Sequence, residues 1–321
     1  MKTKVIVIVL LLVFCSLLQA CTSPKMTADY SAEPSDTSNV VVDEPLASDP
    51  PDVMTFMGFE NVLEIPAGET HYGSEAGQAG SIGYIFDSAG NIGPAGFIAI
   101  SDNEFIILDQ VNKQLVLLSR EKPIKTIPLT SCHRPKSVAY FNGTIAVLDS
   151  EEIVVLNDNG DVALTAAIPA EHYNHSWNYG TSILFEYIDG SLIWQTITGE
   201  AYTLNGTELT AIPQFRAISK TGSSETIKQN DKTWTAEIGG SPIQVVDVRD
   251  DLLLTLALEN GIPEASYRLG VYYSDNDIST EVEIDIGRQI LPPAFSISPS
   301  GHIYMLSYYE DHVAINELII E

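Results

Sequence analysis

The side chains that could do chemistry are few and dispersed. Cys132 stands beside His133, which pairs a nucleophile with a base by type. Consecutive residues turn their side chains apart, so the two are not read as a catalytic dyad. Asp109 and Asp149 close two similar stretches of sequence. An acid that recurs at an equivalent position is a structural residue, expected to accept hydrogen bonds from its own turn. His172 and His175 lie three apart in His172-Tyr-Asn-His-Ser-Trp-Asn-Tyr179. That spacing fixes a metal geometry only on a helix, and the segment is irregular. The chain has no Gly-x-Ser-x-Gly elbow, His-Glu-x-x-His, Cys-x-x-Cys or phosphate-binding glycine loop. The sequence therefore predicts no cofactor, no metal and no catalytic residue.

What it does concentrate is positive charge and aromatic surface in a few connecting segments. The chain has 16 basic against 43 acidic residues, a net charge of −27. Such a field repels nucleic acid and anionic headgroups. Yet Arg134, Arg216 and Arg288 fall in loops, with His133, His172 and His175 beside them and Tyr173, Trp177 and Tyr179 in the longest loop. These nine residues form a candidate binding face for an anionic ligand or an acidic segment of a protein partner. The competing reading is local pairing of the arginines with acids such as Glu171, with Trp177 packed over a sheet edge.

The N-terminus has its own logic. Lys2 and Lys4 precede an apolar run from Val5 to Leu18, too short to span a bilayer as a stop-transfer helix. Leu18-Gln19-Ala20-Cys21 resembles the lipobox of bacterial lipoproteins. The resemblance implies that residues 1–20 are a signal peptide and that cleavage follows Ala20. It also implies that the Cys21 thiol carries a diacylglyceryl group, enough to hold a bilayer stably. The membrane would then be a partner through lipid alone, and the protein would face the extracytoplasmic side, at the cell surface or in the periplasm. Of three cysteines, Cys15 lies in the signal and Cys21 would bear lipid, so Cys132 has no disulfide partner. Residues 21–52 are acidic and rich in Pro and Ser, with Tyr30 the sole aromatic, and read as a disordered tether.

From 53 to 321 the elements that must position the candidate face are strands. Short apolar or alternating runs such as Gly96 to Ile100, Glu104 to Leu108 and Ile124 to Leu129 are separated by Asn-Gly, Asp-Gly and Ser-Gly turns. No long amphipathic helical pattern occurs, so the domain is all-β. The stretch Pro94 to Asp109 aligns with Pro135 to Asp149, 41 residues later, and Pro293 to Ser307 repeats the frame. Four strands per repeat of this length make the blade of a β-propeller. Leu108-Asp109-Gln110-Val111-Asn112-Lys113-Gln114-Leu115 resembles the NHL-like propellers, departing at Gln114 where an Arg is common.

Six blades are expected, five being the alternative if Arg216 to Gly239 is not a blade of its own. Asn61 to Pro66 is free to complete the last blade and remove an open edge. The implied function is a membrane-anchored binding or scaffolding module without catalysis. The alternative is a lactone- or carbohydrate-directed propeller hydrolase. Such enzymes hold a cation on acids near the starts of inner strands, and the starts here contain none.

Overall fold

Two-residue turns at Asn142-Gly143, Asp189-Gly190, Asn230-Asp231 and Asp250-Asp251 fold alternating sequence into tight hairpins. Each turn begins with an Asn or Asp in the left-handed region, at φ 46, 51, 57 and 49°. That conformation matches the natural twist of paired strands. The computed structural model describes residues 56–69, 81–85, 91–157, 159–174, 182–221, 224–237, 243–260, 266–274, 279–285, 289 and 291–320. The signal peptide, Cys21 and the tether lie outside the described residues, as do His175, Trp177, Tyr179 and Arg288.

The chain enters through β1 (Phe56–Glu69) and β2 (Ile82–Tyr84) and then builds blade by blade. Blade 1 holds β3 (Gly96–Ala99), β4 (Glu104–Asp109), β5 (Gln114–Ser119) and β6 (Lys125–Pro128). Blade 2 holds β7 (Ser137–Phe141), β8 (Thr144–Leu148), β9 (Glu152–Leu156) and β10 (Val162–Ala167). Blade 3 holds β11 (Ser182–Ile188), β12 (Ser191–Thr196), β13 (Ala201–Asn205) and β14 (Glu208–Ile212). Blade 4 has three strands, β15 (Arg216–Thr221), β16 (Ser224–Gln229) and β17 (Lys232–Glu237). Blade 5 holds β18 (Ile243–Arg249), β19 (Leu252–Asn260), β20 (Ser266–Tyr273) and β21 (Ser279–Asp285). Blade 6 joins β22 (Ala294–Ile297), β23 (Ile303–Tyr308) and β24 (His312–Ile320) to β1 and β2. Neighbouring strands within a blade pair antiparallel, except that β2 pairs parallel with β1, and the whole is a six-bladed β-propeller.

The expected completion of the last blade occurs, and over a longer stretch than the sequence suggested. β1 pairs antiparallel with β24 from Phe56↔Ile320 to Pro66↔His312. Ile65, fully buried, lies in a core shared by blades 6 and 1 with Phe105, Tyr304 and Ile315. Further cores join blades 1 and 2, 2 and 3, 4 and 5, and 5 and 6. Among the described residues no such apolar cluster joins blades 3 and 4. That seam is polar, and it bears on the site.

Inner strands β18, β22, β3, β7 and β11 neighbour one another in turn around a central channel. Blade 4 departs from this arrangement. It presents the end of its sheet to the channel, where Arg216 pairs in register with Gln229 beside the turn at Asn230.

Candidate functional site

The recurring aspartates hold backbone, and they do so differently. Asp109 Oδ1 accepts the N–H groups of Val111 (3.1 Å) and Asn112 (3.0 Å), as expected of its own turn. Its Oδ2 also accepts Gly83 N–H at 2.9 Å, which docks β2. Gly83 lies so close that a Cβ there would stand 2.6 Å from the Asn112 amide. Asp149 instead reaches the segment before its own blade, accepting N–H from His133 (2.8 Å) and Arg134 (2.5 Å). The difference follows from the chain. The loop ends at Pro135, two residues before β7, and its two N–H groups lie outside any strand.

This clasp decides what the Cys132-His133 neighbourhood can do. Cys132 is buried, and burial, followed by the nearby Asp149 carboxylate, pushes its thiol up to about 12. A thiol so hard to ionise is no nucleophile. His133 is exposed and Arg134 half-buried. The next predicted loop lies alongside, since Asn174 N–H donates to Ser150 C=O at 3.2 Å. There His172 ends a short 3-10 turn, and its Nε2 lies 3.0 Å from Tyr202 Oη. The imidazole stands edge-on to Trp194 and Tyr202, whose rings stack at 5.3 Å. Tyr173 remains exposed. The structure thus brings His133, Arg134, His172 and Tyr173 to neighbouring loops.

Arg216 is elsewhere: it is only 3% exposed, and it lies inside the channel, not in a rim loop. Gln195, at the end of the second strand of blade 3, holds its backbone on both sides. Oε1 accepts Arg216 N–H at 2.8 Å and Phe215 N–H at 3.1 Å, while Nε2 donates to Arg216 C=O at 2.8 Å. The guanidinium donates through Nε to Gln229 Oε1 (2.7 Å) and through a terminal nitrogen to Ile183 C=O (3.0 Å). Ile183 sits at a register shift between Ser182 and Leu184, where a bulge frees a backbone carbonyl.

The channel also holds two carboxylic acids on inner strands and a second arginine. Asp247 follows a register shift in β18 that turns its side chain toward blade 6. It accepts Val248 N–H (2.8 Å), Ile297 N–H (2.7 Å) and the Ser296 hydroxyl (3.3 Å), and Ser296 Oγ in turn accepts Ala99 N–H. Burial raises the Asp247 carboxyl against the pull of these donors and of Arg249 and Arg216. Glu186 is pushed up to about 8, first by burial and then by Asp247, with Arg216 and Arg249 opposing. Arg216 is itself lowered by burial. The shift favours the protonated form of Glu186, which donates a hydrogen bond where a carboxylate only accepts. Among the described residues no cluster of His, Cys, Asp and Glu fits a metal ion.

Sequence reasoning looked for acids at the starts of inner strands and so missed both. They lie mid-strand, in Leu184-Phe185-Glu186-Tyr187-Ile188 and Val245-Val246-Asp247-Val248, and the signal was an acid interrupting an apolar run. Also missed was Lys136, 8% exposed, whose ammonium has no hydrogen-bond partner among the described residues. Burial, then the Arg134 charge, draws its pKa down to about 8.

Two chambers make up the channel. The upper, about 300 Å³, is bounded by the inner strands and contains Glu186, Arg216 and Asp247. The lower, about 500 Å³, opens among the hairpin turns. Tyr140, Glu186, Tyr187 and Arg249 border both.

No protein-family profile matches the chain, and no curated protein matches it in sequence. Solved structures resemble it at low identity. A streptogramin B lyase is 12% identical, over 74% of this chain and 97% of that one, with a TM-score of 0.46. The WD40 β-propeller domain of Doa1 is 11% identical over 81% and 97%, with a TM-score of 0.45. Glutaminyl cyclase of Myxococcus xanthus is 10% identical over 81% and 97%, with a TM-score of 0.42. At such distances none of them lends this chain an activity.

Proposed function

We propose that this propeller is a lipid-anchored extracytoplasmic binding or scaffolding module, held to a membrane through Cys21 by the acidic tether and acting without catalysis. One observation carries the reading. Asp149 uses both carboxylate oxygens to fix the backbone of His133 and Arg134, in a loop that neighbours the one carrying His172 and Tyr173. A loop held by a buried carboxylate is preorganised, which lowers the cost of binding. On a chain of net charge −27, attraction of an acidic protein segment or an anionic ligand rests on the local cationic and aromatic side chains of this face.

Two measurements test the reading. Cys21→Ala should move the full chain from the membrane fraction to the soluble one, and a variant that stays in the membrane refutes the anchor. Crosslinking and pull-down from envelopes should lose the retained partner in His133→Ala/Arg134→Ala while the thermal midpoint stays unchanged. Equal retention refutes the face.

The Glu186 and Asp247 pair favours a second reading, a carbohydrate- or lactone-directed hydrolase with Glu186 as general acid. Turnover of such a substrate, abolished by Glu186→Gln, would select it over the first.

A further inference from the structure

The lower chamber lies away from the Asp149 clasp, and its composition differs from the loop face. Four hairpin turns contribute Asn142, Asp189, Asn230 and Asp250, one from each of blades 2 to 5. All four are exposed and adopt the left-handed conformation, so the turns that carry them place their short planar side chains at the rim. The wall behind is aromatic. Phe141, 39% exposed, stacks on Tyr187 with ring centroids 5.8 Å apart and planes 27° from parallel. Trp234 is pinned by its indole N–H to Asp251 C=O at 2.9 Å. The acids Glu186, Asp189 and Asp250 share this wall with Arg249 and with Lys232, whose ammonium is paired with Asp251.

Each feature narrows the ligand. A stacked ring pair with Phe141 partly exposed offers a platform for an apolar planar surface. Amides donate and accept, and carboxylates accept, so a rim of Asn and Asp suits adjacent hydroxyls that do both. With acids outnumbering bases in the wall, an anionic ligand is disfavoured. A volume near 500 Å³ falls in the range of small-molecule sites. A sugar ring combines an apolar C–H face with vicinal hydroxyls and no net charge.

We propose that the lower chamber binds an uncharged saccharide, its ring stacked on the Phe141–Tyr187 pair and its hydroxyls held by the Asn and Asp side chains of the rim. This deepens the binding reading and rests on it, while using a different surface from the His133 and Arg134 loop.

The test is an array of immobilised neutral and N-acetylated oligosaccharides probed with the full chain in detergent, followed by calorimetric titration with the best-retained sugar. Saturable binding is expected, weakened at least tenfold by Phe141→Ala and by Asp250→Asn/Asp189→Asn. Phe141 is partly exposed, so its variant should keep the parent's melting temperature, and Phe141→Tyr should restore most of the affinity. A blank array overturns the proposal, as does binding unchanged in Phe141→Ala or retention of charged peptides alone. If the array is blank while the envelope pull-down still depends on His133 and Arg134, the saccharide site fails alone. If both are blank, the binding reading fails with it.

Discussion

Gln195 hydrogen-bonds both polar backbone groups of Arg216, accepting its N–H and donating to its C=O at 2.8 Å each. A side-chain amide thereby does what a neighbouring strand would do. It does so at the blade 3 to blade 4 seam, where among the described residues no apolar cluster spans the two sheets. Gln195 and Arg216 are both buried, so the seam depends on groups that are costly to leave unpaired.

Gln195→Ala should therefore destabilise the domain by about 3 kcal/mol, the cost of leaving several buried polar groups unsatisfied. Gln195→Glu keeps the acceptor and loses the donor, and should also be destabilising because it adds a charge. Equilibrium urea unfolding measures both. A cost below about 0.5 kcal/mol for the Ala variant would show that water replaces the clasp.

Glu186 predicts a pH effect of definite sign. Its folded carboxyl titrates near 8, above the unfolded value. Between about 4.5 and 8 the folded state holds the proton and the unfolded chain does not. The stability it confers is complete below pH 4.5 and lost as pH rises through 8. Glu186→Gln should remove this slope and raise stability at pH 8 on the order of 2 kcal/mol. Melting temperatures of both proteins from pH 5 to 9 check it.

Lys136 predicts the opposite slope. Its ammonium is drawn down to about 8 in the folded protein, so between 8 and about 10.5 the unfolded chain holds the extra proton. Stability should rise with pH across that window. Lys136→Met should stabilise by about 1 to 2 kcal/mol at pH 7, with the gain shrinking by pH 9.5. Denaturation at the two pH values separates the charge effect from packing.

Ile65 tests the closure of the ring. It is fully buried and pairs with Val313 across β1 and β24. Ile65→Ala should cost about 3 kcal/mol in chemical denaturation. A negligible cost would mean that β1 is dispensable to the fold.

The propeller was legible in the sequence because blades repeat. Prolines at 94, 135 and 293 set the frame, and Asn-Gly or Asp-Gly turns marked the hairpins. Completion of the last blade by Asn61 to Pro66 followed from a missing strand. The channel was less legible. Whether an acid in an apolar strand faces solvent, a neighbouring sheet or a central passage depends on bulges at Ile183 and Val246, and bulges leave no local signature. Arg216 looked like a loop residue because Pro213 precedes it closely. Its burial is set by Gln195, which lies in another blade.

The pairing of β1 with β24 gives the domain a mechanical character. A load arriving along the N-terminal segment meets β1 first, and β1 is the strand that locks the circle. Peeling it would expose Ile65 and the edge of β24 before any other blade yields, so the joint that completes the ring is also where strain would register. The same joint cannot form until β24 has been synthesised, so the ring closes late in folding.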